Sequence, residues 1–259
     1  MGVLQRIIAQ KRDEIARLQV PDRPLPPRRP LALRQAGTLT LIAEIKRRSP
    51  SAGPLSTHLG VGERARAYEA GGAAMLSVLC DSEFFDGSYA HLDQARQSST
   101  LPILCKDFII DERQLAMARA WGADAALIIV RCLSGTQTAD LVAAARARDL
   151  VPLVEVTTDA EARVALDAGA ELVGVNARDL DTLEMDTGRV RRVLDSLPAD
   201  VIRVHLSGIR SADDVREAAA TPADAALIGE ALMRRDDPTP LLREMVAASR
   251  KPPLSNQSR

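Results

Sequence analysis

The chain has 259 residues, a formal net charge of −1 and only 2% aromatic residues. It therefore lacks both the basic excess and the stacking rings expected of a nucleic-acid binder. The length suits one α/β barrel, which commonly takes about 250 residues, or two small domains. No apolar run approaches the roughly 20 residues of a membrane span. The start MGVLQRIIAQKRDEIARL is interrupted by charges every few residues, so no signal peptide is expected. Cys80, Cys105 and Cys132 are scattered and odd in number. They read as reduced thiols of a cytoplasmic protein rather than as a disulfide framework or a metal set.

Leu4, Ile7, Ile8, Ile15 and Leu18 recur at helical spacing and predict an amphipathic helix over residues 3–18 that packs on the main body. The stretch PDRPLPPRRP ends it, because proline cannot continue a helix and pushes its predecessor towards extended backbone. Residues 1–32 are thus expected to form a helix and connector, 33–250 a barrel and 251–259 a tail. After residue 38 eight short apolar runs follow: LTLIAEI, AAMLSVL, LPILCK, DAALIIV, LVPLVEV, ELVGVN, DVIRVHL and DAALIGE. Between several of them lie helical patterns, at 111–121, 136–148, 158–168 and 211–220. Near-continuous apolar strands alternating with helices are what a parallel sheet covered on both faces requires.

The junctions repeat as AGGAAML, WGADAAL, AGAELVG and TPADAAL. Gly71, Gly122 and Gly169 are placed to take the left-handed conformation just past a helix end. Thr158 with Glu161, and Ser211 with Asp214, read as capping boxes at helix starts. The pattern predicts a (β/α)8 TIM barrel with an extra N-terminal helix. An open doubly wound sheet is the other arrangement, but the first strand is followed by EIKRRSPSAG, without a GxGxxG turn.

Active sites of such barrels lie at the C-terminal ends of the strands. Here those ends carry charges that the fold does not need. Strand residues two apart share a face, so Glu44 and Lys46 are expected to point into the mouth and Ile45 towards the helices. Lys106 and Phe108 leave the third strand together, Glu155 ends the fifth, and Asn176 and Arg178 end the sixth. One such charge is compatible with a structural ion pair. Four strands converging on two Glu, two Lys, an Asn and an Arg predict acid–base chemistry on an anionic substrate. Gly-containing turns at LSGIRSADD and LIGEALMR follow strands seven and eight, where these barrels often bind phosphate.

These motifs resemble the indole-3-glycerol phosphate synthase family. The resemblance runs in order through IAEIKRRSPSAG, LSVLCDSEFFDGS, PILCKDFIID, GVNARDLDTLEMD, SGIRSADD and LIGEALMR. It implies closure of the ring of 1-(2-carboxyphenylamino)-1-deoxyribulose 5-phosphate with loss of CO2 and water, without metal or organic cofactor. It further implies that Lys106 and Lys46 are acids for the ketone and its departing oxygen, in an order the sequence leaves open. Glu155 would be a general base or electrostatic partner, with Glu44 its counterpart across the mouth. Asn176 and Arg178 would lie near the carboxylate and sugar hydroxyls. Phe85, Phe108, Pro50 and Leu180 would sandwich the aromatic ring. Ser49, Ser207, Gly208, Gly229 and Glu230 (through its backbone) would hold the phosphate.

The partner implied is a small phosphorylated substrate, with room for transient contact with other tryptophan-pathway enzymes and with no nucleic acid or membrane. One position departs from the resemblance: Leu206 stands where the family usually has Glu. Its parity points Leu206 into the mouth and His205 towards the helices, so His205 does not replace the missing acid. Two further readings follow. One is a paralogue acting on a modified anthranilate-derived substrate; the other is a weakened barrel that binds a phosphorylated ligand.

Overall fold

A computed structural model describes residues 2–50, 52–55, 58–179 and 184–252. Among them, eight parallel strands close into a barrel. The strands are β1 (Thr40–Ile45), β2 (Met75–Leu79), β3 (Ile103–Lys106), β4 (Ala125–Ile129), β5 (Val151–Val156), β6 (Leu172–Asn176), β7 (Ile202–Leu206) and β8 (Ala225–Ile228). Each coincides with one of the eight apolar runs. Ile42 sits in register with Leu227 on one side and Met75 on the other, so β1 closes the ring.

Alternation along each strand builds two cores. Ile42, Leu104, Leu127, Leu153, Val204 and Leu206 fill the interior. Leu41, Ala43, Ile45, Val78, Val154 and Val175 face the surrounding helices. A strand buried on both faces needs apolar residues at every position, which is why the sequence shows runs rather than an apolar–polar alternation. Leu206 therefore points inward, as parity predicts. His205 lies on the opposite face, 8% exposed, and burial pushes its pKa down.

The helices are α1 (Val3–Ala16), α2 (Val61–Gly71), α3 (Ser82–Phe85), α4 (Ala90–Ser98), α5 (Glu112–Ala120), α6 (Gly135–Ala147), α7 (Asp159–Asp167), α8 (Thr187–Ser196), α9 (Ala212–Ala219), α10 (Glu230–Met233) and α11 (Thr239–Ala248). Among the described residues, no helix is long and apolar enough to cross a membrane. Ser211 and Asp214 form the expected capping box at α9. At α7 only half of one forms. Thr158 Oγ1 accepts from Glu161 N at 3.2 Å, but Glu161 Oε2 accepts from Thr157 N instead.

Gly122 and Gly169 take the left-handed conformation expected of them, whereas Gly71 does not. Gly71 is the last residue of α2, and Gly72 (φ 94°) makes the turn. A Cβ on Gly71 would fall 2.8 Å from Leu242 Cδ2, so this glycine is required for close packing against α11. In a Gly-Gly pair, sequence alone does not say which residue reverses the chain.

The segment before β1 spans the barrel from top to bottom. Leu4 and Ile7 of α1 join the interior cluster at the mouth, and Leu33 joins it at the other end. Between them the connector is held by arginines: Arg28 to Asp149 at 2.8 Å, and Arg34 to Asp224 at 3.0 Å. The repeated DAAL has a structural cause. Asp124 and Asp224 open β4 and β8, and each accepts from a backbone N–H of the preceding strand, Ile103 N and Arg203 N, both at 2.9 Å. Strand pairing also brings together thiols that are remote in sequence. Cys105 Sγ lies 3.5 Å from Cys80 Sγ, and both thiols are buried.

Candidate active site

A cavity of about 440 Å³ opens at the C-terminal ends of the strands. Glu44, Lys46, Ser49, Pro50, Phe85, Lys106, Phe108, Glu155, Asn176, Arg178, Leu206, Ser207, Gly208, Gly229 and Glu230 all line it. Leu180 lies outside the described residues. Strand parity at β1, β3, β5, β6 and β7, together with the turn after β8, has thus gathered residues more than 180 positions apart in the chain around one space.

The floor is a charge network. Glu44, 3% exposed, places Oε1 at 2.8 Å from Lys46 Nζ and Oε2 at 4.0 Å from Lys106 Nζ. Burial pushes its pKa up, but Lys46 and then Lys106 outweigh that, and the carboxyl is held below its ordinary value. Glu155, 2% exposed, has the opposite fate. Burial raises its pKa, and the opposing pull of Lys106 and Asn176 does not cancel the rise. The two carboxylates are therefore driven apart: Glu44 stays ionised, while Glu155 is moved towards a value at which it can hold a proton. Glu155 Oε1 accepts from Asn176 Nδ2 at 2.8 Å, and Oε2 has no hydrogen-bond partner among the described residues. Asn176 is in turn fixed by its other end, because Oδ1 accepts from Arg178 N at 3.0 Å.

The far wall carries the two turns. Ser207 (φ 67°) and Gly208 (φ 92°) are consecutive left-handed residues directly after β7. For serine that conformation costs energy, and such strain gathers at functional turns. After β8, Gly229 precedes α10, and the Glu230 carboxylate is taken by Arg234 at 2.8 Å. Lys46, Lys106, Arg178 and Arg210 on the cavity wall against Glu44, Glu155 and Glu230 leave the space net positive, which favours an anionic substrate.

A family model described as "Indole-3-glycerol phosphate synthase" matches residues 4–245. The chain belongs to that family. Its relatives include the indole-3-glycerol phosphate synthase of Mycobacterium ulcerans, 42% identical over 228 residues, 88% of this chain and 84% of the relative. That of Exiguobacterium sp. is 41% identical over 253 residues, 97% of this chain and 99% of the relative. Indole-3-glycerol phosphate synthase 1 of Streptomyces coelicolor is 44% identical over 223 residues, covering 86% and 82%. Among solved structures, 3-hexulose-6-phosphate synthase from Salmonella typhimurium superposes with a TM-score of 0.65 at 14% identity, covering 81% of this chain and 98% of that one. That likeness speaks to the barrel fold alone.

Sequence reasoning missed part of this synthase-family site. Leu4 and Ile7 form a roof over the cavity, and Met185 and Arg210 line it beside the Ser207–Gly208 turn. Periodicity showed that α1 buries an apolar face, but not that the barrel mouth is what it covers. Met185 follows the Arg178 strand end and pairs back to it as an isolated bridge. Its Cε would stand 2.8 Å from a Cβ on Gly208.

Gly229 has a second constraint beside its turn. A Cβ there would meet Glu44 Oε1 at 2.5 Å and Glu44 Cβ at 3.3 Å. Gly229→Ala is therefore expected to push the Glu44 carboxylate off Lys46 and lower kcat/KM by about tenfold or more, since small displacements of reacting groups carry large costs. Steady-state kinetics at unchanged circular dichroism checks this. An unaffected kcat/KM would show that the glycine serves only the turn.

Proposed function

We propose that the protein is an indole-3-glycerol phosphate synthase. Its substrate is 1-(2-carboxyphenylamino)-1-deoxyribulose 5-phosphate, and its products are indole-3-glycerol phosphate, CO2 and water. The observation that carries this reading is one cavity floor in which Lys46 and Lys106 flank an ionised Glu44, beside a Glu155 whose pKa burial raises.

The chemistry demands such a set. The ring carbon bearing the carboxylate must form a bond to the ketone carbon, and the ketone oxygen must gain a proton as that bond forms. A lysine ammonium donates it. The carboxylate then leaves as CO2, and its bonding electrons restore the aromatic ring. Finally the new hydroxyl leaves as water with a second proton, while the methylene carbon beside nitrogen gives up one to a base. Two ammonium groups and a protonatable carboxyl meet these needs, each contributing about 10²–10⁴-fold when well placed. Arg178 suits the carboxylate through its guanidinium fork, and Phe85, Phe108 and Pro50 suit the ring. The turns at Ser207–Gly208 and Gly229–Glu230, with Ser49, suit the phosphate. A small phosphorylated substrate, a cytoplasmic setting and action without metal or organic cofactor belong to the same proposal.

Leu206 favours a second reading, a paralogue with a modified anthranilate-derived substrate. It is 1% exposed, sits in register with Asn176, and its Cδ1 fills the space a Cβ on Gly174 would need, at 2.6 Å. An apolar wall thus stands beside the polar floor. Turnover by the wild type and by Leu206→Glu, followed by indole fluorescence, separates the two readings. Wild-type turnover that Leu206→Glu does not improve is expected. Absent turnover restored by Leu206→Glu would favour the paralogue, and its absence in both would leave only ligand binding. Leu206→Glu is also expected to lower Tm more at pH 8 than at pH 5, because an unpaired buried carboxylate is costly only when charged.

A further inference from the structure

Behind the aromatic wall lies a buried charged cluster that the proposed chemistry does not use. Lys11 of α1 is 1% exposed. Its Nζ lies 2.9 Å from Asp81 Oδ2, 2.8 Å from Asp107 Oδ1 and 2.8 Å from Glu14 Oε2. Burial opposes a charge on Lys11, but Asp107 and Asp81 more than reverse that, so the ammonium is held ionised.

The two aspartates are themselves parts of the wall. Asp81 caps α3 by accepting from Phe84 N at 2.7 Å, and α3 carries Phe85. Asp107 directly follows Lys106, accepts from Phe108 N at 2.8 Å and takes the Tyr89 hydroxyl at 2.9 Å. The Phe85 and Phe108 rings stand 6.0 Å apart, tilted by 36°. One ammonium therefore ties together the roof helix, both aromatic rings and the strand end that presents Lys106.

We propose that Lys11 is a positioning residue: bridging Asp81 and Asp107, it sets the depth of α1 over the mouth and holds Phe85, Phe108 and Lys106 in the geometry that the substrate's aromatic ring requires. The kinetic part rests on the synthase reading above. Buried ion pairs are poor devices for stability alone, but they specify registry well. The bridge falls where registry matters, between the helix that carries Leu4 and Ile7 and the two strand ends that carry the wall.

The test compares full-length wild type, Lys11→Met, Lys11→Arg and Ile15→Ala for kcat, KM and Tm. Ile15 is a buried residue further along α1, so Ile15→Ala loosens the same helix while removing neither the Lys11 ammonium nor its carboxylate partners. Lys11→Met is expected to raise KM about tenfold and lower kcat/KM about 100-fold, the scale of a small misplacement in a reaction site. Lys11→Arg is expected to recover most of the KM. Ile15→Ala is expected to lower Tm with KM near wild type. Equal KM in Lys11→Met and Ile15→Ala overturns the proposal.

If Lys11→Met does not fold, Asp81→Asn decides. It keeps an acceptor for Phe84 N and the Lys11–Asp107 pair, and an unchanged KM overturns the idea. Wild type that turns over no substrate sinks the synthase reading instead. Amide exchange then judges the positioning role separately. Faster exchange at Phe84 and Phe108 in Lys11→Met or Asp81→Asn, but not in Ile15→Ala, is expected. Equal exchange across these variants overturns the role.

Discussion

Lys106→Met is expected to abolish ring closure while leaving the barrel folded. The side chain ends β3 on the cavity floor, 22% exposed, and its Nζ lies 4.0 Å from Glu44 Oε2. Methionine keeps the unbranched apolar stem, so the packing below is undisturbed. What is lost is the proposed proton donor and one of the two cations that hold Glu44 ionised. The fall in kcat should reach about 10²–10⁴-fold, and the carboxyl of Glu44 should titrate higher than in wild type. Single-turnover product formation, with circular dichroism to show the fold, measures this. Activity within about tenfold of wild type would remove Lys106 from the acid–base machinery, because that is less than a placed acid contributes.

Glu155→Gln is expected to lose activity and gain stability together. Burial raises the pKa of Glu155 in the folded protein above its unfolded value. Ionisation is therefore disfavoured by folding, and this group's contribution to stability falls as pH rises above the unfolded pKa. A neutral amide removes that penalty, so Tm of the variant should exceed wild type at pH 8 and match it near pH 4, where both side chains are uncharged. Asn176 keeps a carbonyl acceptor for its 2.8 Å hydrogen bond, so the local structure is retained. The activity loss should be about 10²–10⁴-fold, as for removal of a general acid or base. A catalytic group strained by its site commonly shows this trade of stability for function. A Tm difference that does not change with pH would contradict the burial argument.

The residues of the floor were legible because each breaks a local rule. A strand buried on both faces has no use for a charge, so Glu44, Lys106 and Glu155 stand out against their neighbours, and a period of two tells which way they point. The roof was not legible in the same way. Leu4, Ile7, Lys11 and Ile15 are the buried face of α1, and periodicity says only that something covers it. Lys11 did carry a signal, a charge inside an apolar stripe, but its partners Asp81 and Asp107 come from two different strand ends. The glycines divide similarly. Gly122 and Gly169 follow from helix-end chemistry, whereas Gly71 and Gly229 answer to Leu242 and Glu44, neighbours supplied only by the closed barrel.

The most direct measurement follows the carboxylate carbon. Purified protein is supplied with the ribulose phosphate substrate carrying ¹³C in its carboxyl group, and the reaction is read by NMR. The account predicts that the label appears only as CO2 and bicarbonate, in step with an unlabelled indole-3-glycerol phosphate. Label retained in the product, or no turnover by the wild-type protein, would contradict it.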